Sequence, residues 1–320
     1  MTSKKDKKFT YEMMVEDLKD NAKRILKGGW LEISEITETL LQIADSPEMN
    51  ARIYLSSADQ YTIRIYEGLL KACYAYANSD IRDYYPTIAH RSNFTEELFI
   101  RTVCSCVTEF IFWHEYSHIA RGHLNFLSSR KKLWAADSSS TLELIDRRLV
   151  ELDADIYAAS FLLARTYSVY LSSNGAYPLQ DLMQAYSTGI RVLFEVLHRN
   201  NDFEDDTHEL SDHPHSLARA YAAIAFGLTG PVGDKIGADG AACQSIAIAE
   251  LLSYEMSTRT TPVDTAILQS YMDKEAVLWG ARAHEINDYF QLTVRTVPVF
   301  TKIRGRARKM MMFVRQYLNV

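Results

Sequence analysis

The residues with the clearest capacity for chemistry form the run His114-Glu115-Tyr116-Ser117-His118, an HExxH pattern. Two histidines four positions apart lie one turn apart on the same face of a helix, so both imidazoles can bind one metal ion. Glu115 is turned about 100° around the helix axis from the first histidine. It can therefore reach a water molecule on the metal without binding the metal itself, which is the position that a general base needs.

The setting of this motif favours function over chance. With 9 histidines in 320 residues, a random HExxH is expected in about one or two such sequences in a hundred. Two histidines and a glutamate inside an apolar helix would be costly unless they had a partner, so ordinary core or surface histidines are the less favoured explanation. The apolar residues that precede the motif are Val103, Val107, Phe110, Ile111 and Phe112.

A later acidic run, Glu151-Leu152-Asp153-Ala154-Asp155, offers the third metal ligand. Zinc held by two histidines needs one more protein ligand and keeps one position open for water. Glu151 and Asp155 are four positions apart, so one carboxylate could bind the metal while the other accepts the N–H of a ligand histidine. Asp153 is predicted to point elsewhere, into solvent.

The alternative for this run is a solvated helix face on which Glu151 and Asp155 pair with Arg147 and Arg148. That alternative is less favoured, because the same helix also carries a buried apolar stripe. The stripe consists of Ile145, Leu149, Leu152 and Ile156.

The elements that must position these residues are predicted from hydrophobic periodicity, and they make the chain mainly α with one small β-hairpin. Asn93 with Glu96, and Ser140 with Glu143, predict helix N-caps. Alternation over 51–56 and 62–66 predicts the hairpin. We expect one domain over 1–320, with a motif core at about 51–220 and a helical C-terminal extension at about 241–320. The predicted helices are 10–27, 31–44, 67–77, 93–127, 140–167, 179–198, 215–227, 242–255 and 263–290.

Composition narrows the class of protein. A hydrophobic content of 47% against 24% charged residues excludes intrinsic disorder. No apolar stretch reaches the roughly 18 residues of a membrane span, and no secretory signal opens the chain, which predicts a cytoplasmic protein. A net charge of −6 gives no reason to expect nucleic acid as a partner.

The basic segment after Thr301 is predicted to be solvated. The four cysteines are predicted to be buried small hydrophobes, and they are Cys73, Cys104, Cys106 and Cys243.

HExxH followed on a later helix by Glu-x-x-Ala-Asp resembles the gluzincin metallopeptidases, especially the HtpX-type group. The resemblance covers about residues 51–220, although the membrane helices of that group are missing and Tyr116-Ser117 replaces its usual apolar residue and glycine. The soluble phage-exclusion (Lit) type of protease is a second, looser likeness. Three further segments match: His118-Ile-Ala-Arg-Gly-His123, the hairpin with Glu67-Gly68-Leu69-Leu70, and Ser211-Asp212-His213-Pro214 with Arg219.

The resemblance implies a zincin-like fold and a zinc endopeptidase that acts on protein or peptide substrates. It implies that Glu151 is the third zinc ligand, that Asp155 supports a histidine, and that His213 borders the cleft as a second catalytic residue. His213 could equally be a loop histidine, like its neighbours His208 and His215. The alternative function is a catalytically inactive helical interaction or regulatory protein with a structural or vestigial metal site. Glu115 favours the enzyme, because a closed structural site has no use for a carboxylate there.

Overall fold

The computed structural model describes residues 8–26, 39–57, 60–136, 141–198, 216–227, 238–258 and 265–296. Helices dominate these ranges, as the sequence predicts, and a three-stranded sheet with one strand more than the predicted hairpin completes them. The strands are β1 (Leu40–Ala44), β2 (Ala51–Ser57) and β3 (Gln60–Tyr66). The helices are α1 (Tyr11–Ile25), α2 (Glu67–Tyr76), α3 (Arg82–Ile88), α4 (Glu96–Ala120), α5 (His123–Ala136), α6 (Thr141–Ser172), α7 (Leu179–His198), α8 (Ser216–Phe226), α9 (Ala238–Thr258) and α10 (Thr265–Thr296).

The sheet has the order β1-β3-β2, so β3 is the central strand. Strands β2 and β3 form the predicted antiparallel hairpin, and β1 pairs with β3 in parallel, with Leu40 opposite Thr62. The prediction of a helix over 31–44 is wrong at 40–44, while 31–38 lie outside the described residues. The hydrogen bonds of β1 come from β3, about twenty residues later, and a local hydrophobic period carries no information about such a partner.

Helix α4, which carries HExxH, runs through the core and packs against α1, α6 and α7. Its apolar side chains are buried on several faces, from Phe99 to Tyr116. Helix α7 approaches α4 closely at Gly189, where an added Cβ would lie 2.6 Å from the Cβ of Cys106. A side chain at that position would push α7 away from the metal-motif helix.

The bounds of α4 differ from the prediction at both ends. The N-cap is Thr95 rather than Asn93, and its hydroxyl accepts the backbone N–H of Leu98 at 3.3 Å. The helix ends at Ala120, because Gly122 adopts a positive φ of 72° that glycine tolerates best. A second helix, α5, then begins at His123, so the predicted single helix over 93–127 is two helices.

Helix α10 lies against α5, α6 and α8. Buried polar contacts fasten it, since Arg148 pairs with Glu275 and the Arg282 guanidinium donates to Asp146 at 2.6 Å. All four cysteines are free and buried, as predicted. Among the described residues, no helix is both long enough and apolar enough to cross a membrane. The segment after Thr301 lies outside the described residues.

Candidate metal centre and cleft

Three potential metal ligands meet between α4 and α6. The Nε2 atoms of His114 and His118 are 3.2 Å apart. The Glu151 carboxylate lies 3.3 Å from Nε2 of His114 and 3.7 Å from Nε2 of His118. One donor atom from each of the three residues lies within 4.8 Å of the other two, so the three can share one metal ion.

Glu115 is buried next to this cluster and lines the same cavity. Burial raises the pKa of the Glu115 carboxyl to about 7; Glu151 and Asp155 raise it as well, while His114 and Arg52 oppose the shift. A carboxyl group that titrates near neutral pH can both accept and return a proton.

The support of His114 is short and direct. Its Nδ1 lies 2.8 Å from the carboxylate of Asp155, one turn after Glu151 on α6. Arg219 of α8 donates to both oxygens of Asp155, at 2.9 and 3.0 Å. Burial alone would raise the pKa of Asp155, but Arg219 and His114 outweigh burial and hold this pKa below its usual value. Asp155 therefore remains a charged acceptor for the His114 ring.

The support of His118 is longer and runs through a third histidine. Nδ1 of His118 lies 3.0 Å from Nδ1 of His123, and Nε2 of His123 lies 3.0 Å from the carboxylate of Asp153. Arg121 donates to both oxygens of Asp153, at 2.8 and 3.2 Å. Arg121 and His123 outweigh the effect of burial and lower the pKa of Asp153.

The prediction that Asp153 points into solvent is wrong. Its side chain is fully buried, because α4, α5 and α10 all pack on α6 and leave no solvated face at this turn. The Trp279 indole N–H of α10 also reaches Asp153, at 3.4 Å. Arg147 pairs with Glu143 and Arg148 with Glu275, while Asp155 lies against His114 and Arg219.

The break between α4 and α5 brings His123 back to the metal motif. In a continuous helix, residues five apart lie about 140° apart around the axis, so His123 would face away from His118. The positive φ of Gly122 ends α4 and turns the chain, which places His123 against His118.

The pKa values of the two candidate ligand histidines shift in opposite directions. Burial lowers the pKa of His118 to about 3. Burial would lower the pKa of His114 as well, but Asp155 and Glu151 outweigh it and raise this pKa to about 10. A metal ion that bound His114 would have to compete with a proton there.

The cluster lies in the wall of a cavity of about 620 Å³. One part of the lining is polar and includes Arg52 of β2, Arg219 and the candidate ligands. The other part is apolar and consists of Met49, Ala51, Ile53, Leu69, Phe110, Ile111, Leu124, Leu127, Val150, Leu193, Phe194 and Leu197. Its volume and its mixed lining are those of a ligand-binding site in a protein.

The structure thus brings together His114, Glu115, His118, Glu151 and Asp155. His213, His208 and His215 lie outside the described residues. Sequence reasoning missed His123, Asp153 and Arg121 as parts of the site. A signal was present, because a histidine and an arginine that flank a helix-ending glycine need acceptors once they are buried.

Fold and site define a mainly helical protein with a candidate metal centre of two histidines and one carboxylate. The family model described as Peptidase U49 matches residues 35–232, more than half of the chain, and the chain belongs to this family. This is the Lit-type protease family, the looser of the two likenesses, and membership supports a peptidase. A search of curated proteins found no match, and a search of solved structures found none.

Proposed function

We propose that the protein is a zinc-dependent endopeptidase in which His114, His118 and Glu151 bind the zinc ion. The observation that carries this proposal is the convergence of their three donor groups beside a buried glutamate, in the wall of a cleft. Membership of the peptidase family supports the peptidase activity, and the three donor residues support the binding of a metal ion.

The residues fit zinc in type and in spacing. Tetrahedral zinc with bonds of about 2.0–2.1 Å keeps its ligand atoms about 3.3 Å apart. The two Nε2 atoms are 3.2 Å apart, Oε2 of Glu151 lies 3.3 Å from Nε2 of His114, and Oε1 of Glu151 lies 3.7 Å from Nε2 of His118. Both histidines also have a partner at Nδ1, which leaves Nε2 to face the ion, as is usual for zinc-binding histidines.

When bound, zinc would polarise the peptide carbonyl and acidify the attacking water molecule. Glu115 accepts the proton of that water and returns it to the leaving nitrogen. Asp155, held by Arg219, orients the His114 ring. The cleft positions the peptide.

His213 is our second catalytic candidate, by resemblance only. Ser216, three residues later in the chain, lines the cleft. We expect His213→Ala to keep zinc and to lower kcat. An unchanged kcat would make His213 an ordinary loop histidine.

The decisive experiment uses Glu115→Gln, which keeps the size of the side chain and removes the base. We expect one zinc ion per chain in both wild type and variant, and a loss of peptidase activity by a factor of about 100 or more in the variant. Zinc content is measured by elemental analysis, and activity by comparing the proteomes of cells that express each form.

Glu109→Gln is the matched control. Glu109 is a buried glutamate on the same helix, and its carboxylate accepts the Asn21 amide at 2.8 Å, outside the cleft lining. Activity should survive in this control. Equal cleavage by wild type and Glu115→Gln would exclude the mechanism, whereas zinc without any cleavage in the wild type would favour the inactive regulatory alternative.

A further inference from the structure

We propose that His123 and Asp153 are positioning residues that fix the ring tautomer of His118 and so keep its Nε2 lone pair free for the metal. This inference rests on the proposed metal centre and goes beyond the three ligands and Glu115. It assigns a role to a buried histidine and a buried carboxylate that the catalytic scheme does not use.

Asp153 determines where the hydrogens of both rings must lie. A carboxylate accepts hydrogen bonds and cannot donate them. Arg121 grips both oxygens of Asp153, which keeps this carboxylate charged. The His123 Nε2 that lies 3.0 Å from Asp153 must therefore carry a hydrogen and donate it.

That assignment determines the hydrogen positions in the chain of contacts from Asp153 through His123 to His118, which we call the relay. A neutral imidazole with a hydrogen on Nε2 has a bare Nδ1, which can only accept. Nδ1 of His123 lies 3.0 Å from Nδ1 of His118, so His118 must carry its hydrogen on Nδ1 and donate it. The Nε2 of His118, which faces His114 and Glu151, is then the bare nitrogen that a metal ion requires.

Burial deprives the relay of alternative hydrogen-bond partners. His123 and Asp153 are both fully buried, so water cannot substitute for a lost partner. The opposite tautomer of His123 would aim a bare nitrogen at the Asp153 carboxylate and an N–H at His118. That arrangement repels at one end and draws the hydrogen of His118 to Nε2 at the other, where it blocks the metal.

The relay makes a prediction for the wild-type protein that needs no variant. Nitrogen-15 NMR of the histidine rings in the metal-free protein should show His123 protonated at Nε2 and bare at Nδ1, and His118 protonated at Nδ1. A proton on Nδ1 of His123 would overturn the proposal.

Asp153→Asn tests the relay with almost no change in shape. The asparagine amide can donate to Nε2 of His123 and so permits the wrong tautomer, as known for the aspartate of the serine-protease triad. We expect zinc affinity, measured by competition with a chromophoric chelator, to fall about 10–100-fold.

Asp146→Asn is the matched control, because Asp146 is another fully buried aspartate of α6. Two arginines and an indole N–H hold it: Arg130 at 3.0 Å, Trp134 at 2.8 Å and Arg282 at 2.6 Å. This control should lose similar stability and keep the zinc affinity of the wild type. Equal zinc affinities in the two variants would overturn the relay.

A second pair covers the case in which Asp153→Asn does not fold. His123→Gln keeps an amide that can accept from His118 and donate to Asp153, while His123→Leu removes both functions. We expect glutamine to retain more zinc affinity than leucine, and equal affinities would count against the relay. If the wild type itself binds no zinc, the proposed function fails; if it binds zinc and only these comparisons fail, the inference alone is wrong.

Discussion

The two candidate histidine ligands are supported in different ways, although both supports end on a buried aspartate of α6. His114 reaches Asp155 directly, and Arg219 of α8 holds that carboxylate. His118 reaches Asp153 through His123, and Arg121 beyond the end of α4 holds that carboxylate. The two aspartates are two residues apart, about 200° around the helix, so they support the two candidate ligands from different sides of α6.

The difference shows how one chemical requirement can be met at two levels of structure. Each ring needs an acceptor at Nδ1. The contact from His114 to Asp155, which we call the direct arm, needs only helical spacing, because Glu151 and Asp155 are one turn apart. The contacts from His118 through His123 to Asp153, which we call the relayed arm, need a helix break at Gly122 and the burial of α6 on the side of Asp153.

The largest expected effect falls on the two proposed histidine ligands, and it should be the same for both although their supports differ. His114→Ala and His118→Ala each remove one of three protein ligands, so both should lose zinc on dialysis against a weak chelator. The measurement is zinc per chain. Full zinc in both variants would mean that the metal site is wrongly assigned.

The next comparison lies within the direct arm and separates ligand from support. Glu151→Ala leaves two protein ligands, so zinc should be largely lost. Asp155→Ala should retain zinc with about 10–100-fold weaker affinity. Chelator competition on the two variants decides between them. Loss of zinc from Asp155→Ala alone would mean that Asp155 is the ligand and Glu151 its support. If both variants bind zinc like the wild type, the third ligand lies elsewhere, with His208 and His213 the next candidates.

The two arms also differ in how far the sequence could predict them. HExxH, the Glu151 and Asp155 spacing and the β2–β3 hairpin follow from local periods, and the structure contains all of them. Asp153 was misjudged, because an angle around a helix axis says where a side chain points but not whether another helix covers that face. Strand β1 was missed for a related reason, since its partner β3 is distant in the sequence.

The helix break offers a test that touches only the relayed arm. Gly122→Ala forces an alanine into a positive φ of 72° and should cost about 1–2 kcal/mol of unfolding free energy. Gly175→Ala is its control, because Gly175 has a φ of 86°, open space where the added methyl group would lie, and no part in the cleft lining.

Both glycine variants should therefore unfold at lower denaturant concentration than the wild type. Only Gly122→Ala should also weaken zinc binding, because only it displaces His123 from His118. If both variants bind zinc like the wild type, the relay does not depend on the turn at Gly122.

The smallest expected effect is at the outer end of the relayed arm. Trp279 belongs to α10, beyond the matched residues 35–232, and its N–H donates to Asp153 at 3.4 Å. Trp279→Phe removes this bond and keeps a ring that can stack on Phe226, 6.0 Å away. Because Arg121 still donates to both oxygens of Asp153, the loss should be about 1 kcal/mol or less in unfolding free energy, and zinc affinity should change by less than about threefold.

Trp134→Phe is the control, because it removes the 2.8 Å bond to Asp146 and so reports the loss of a comparable hydrogen bond away from the metal. A drop in zinc affinity of tenfold or more in Trp279→Phe alone would make α10 a working part of the metal centre rather than a helix packed behind it.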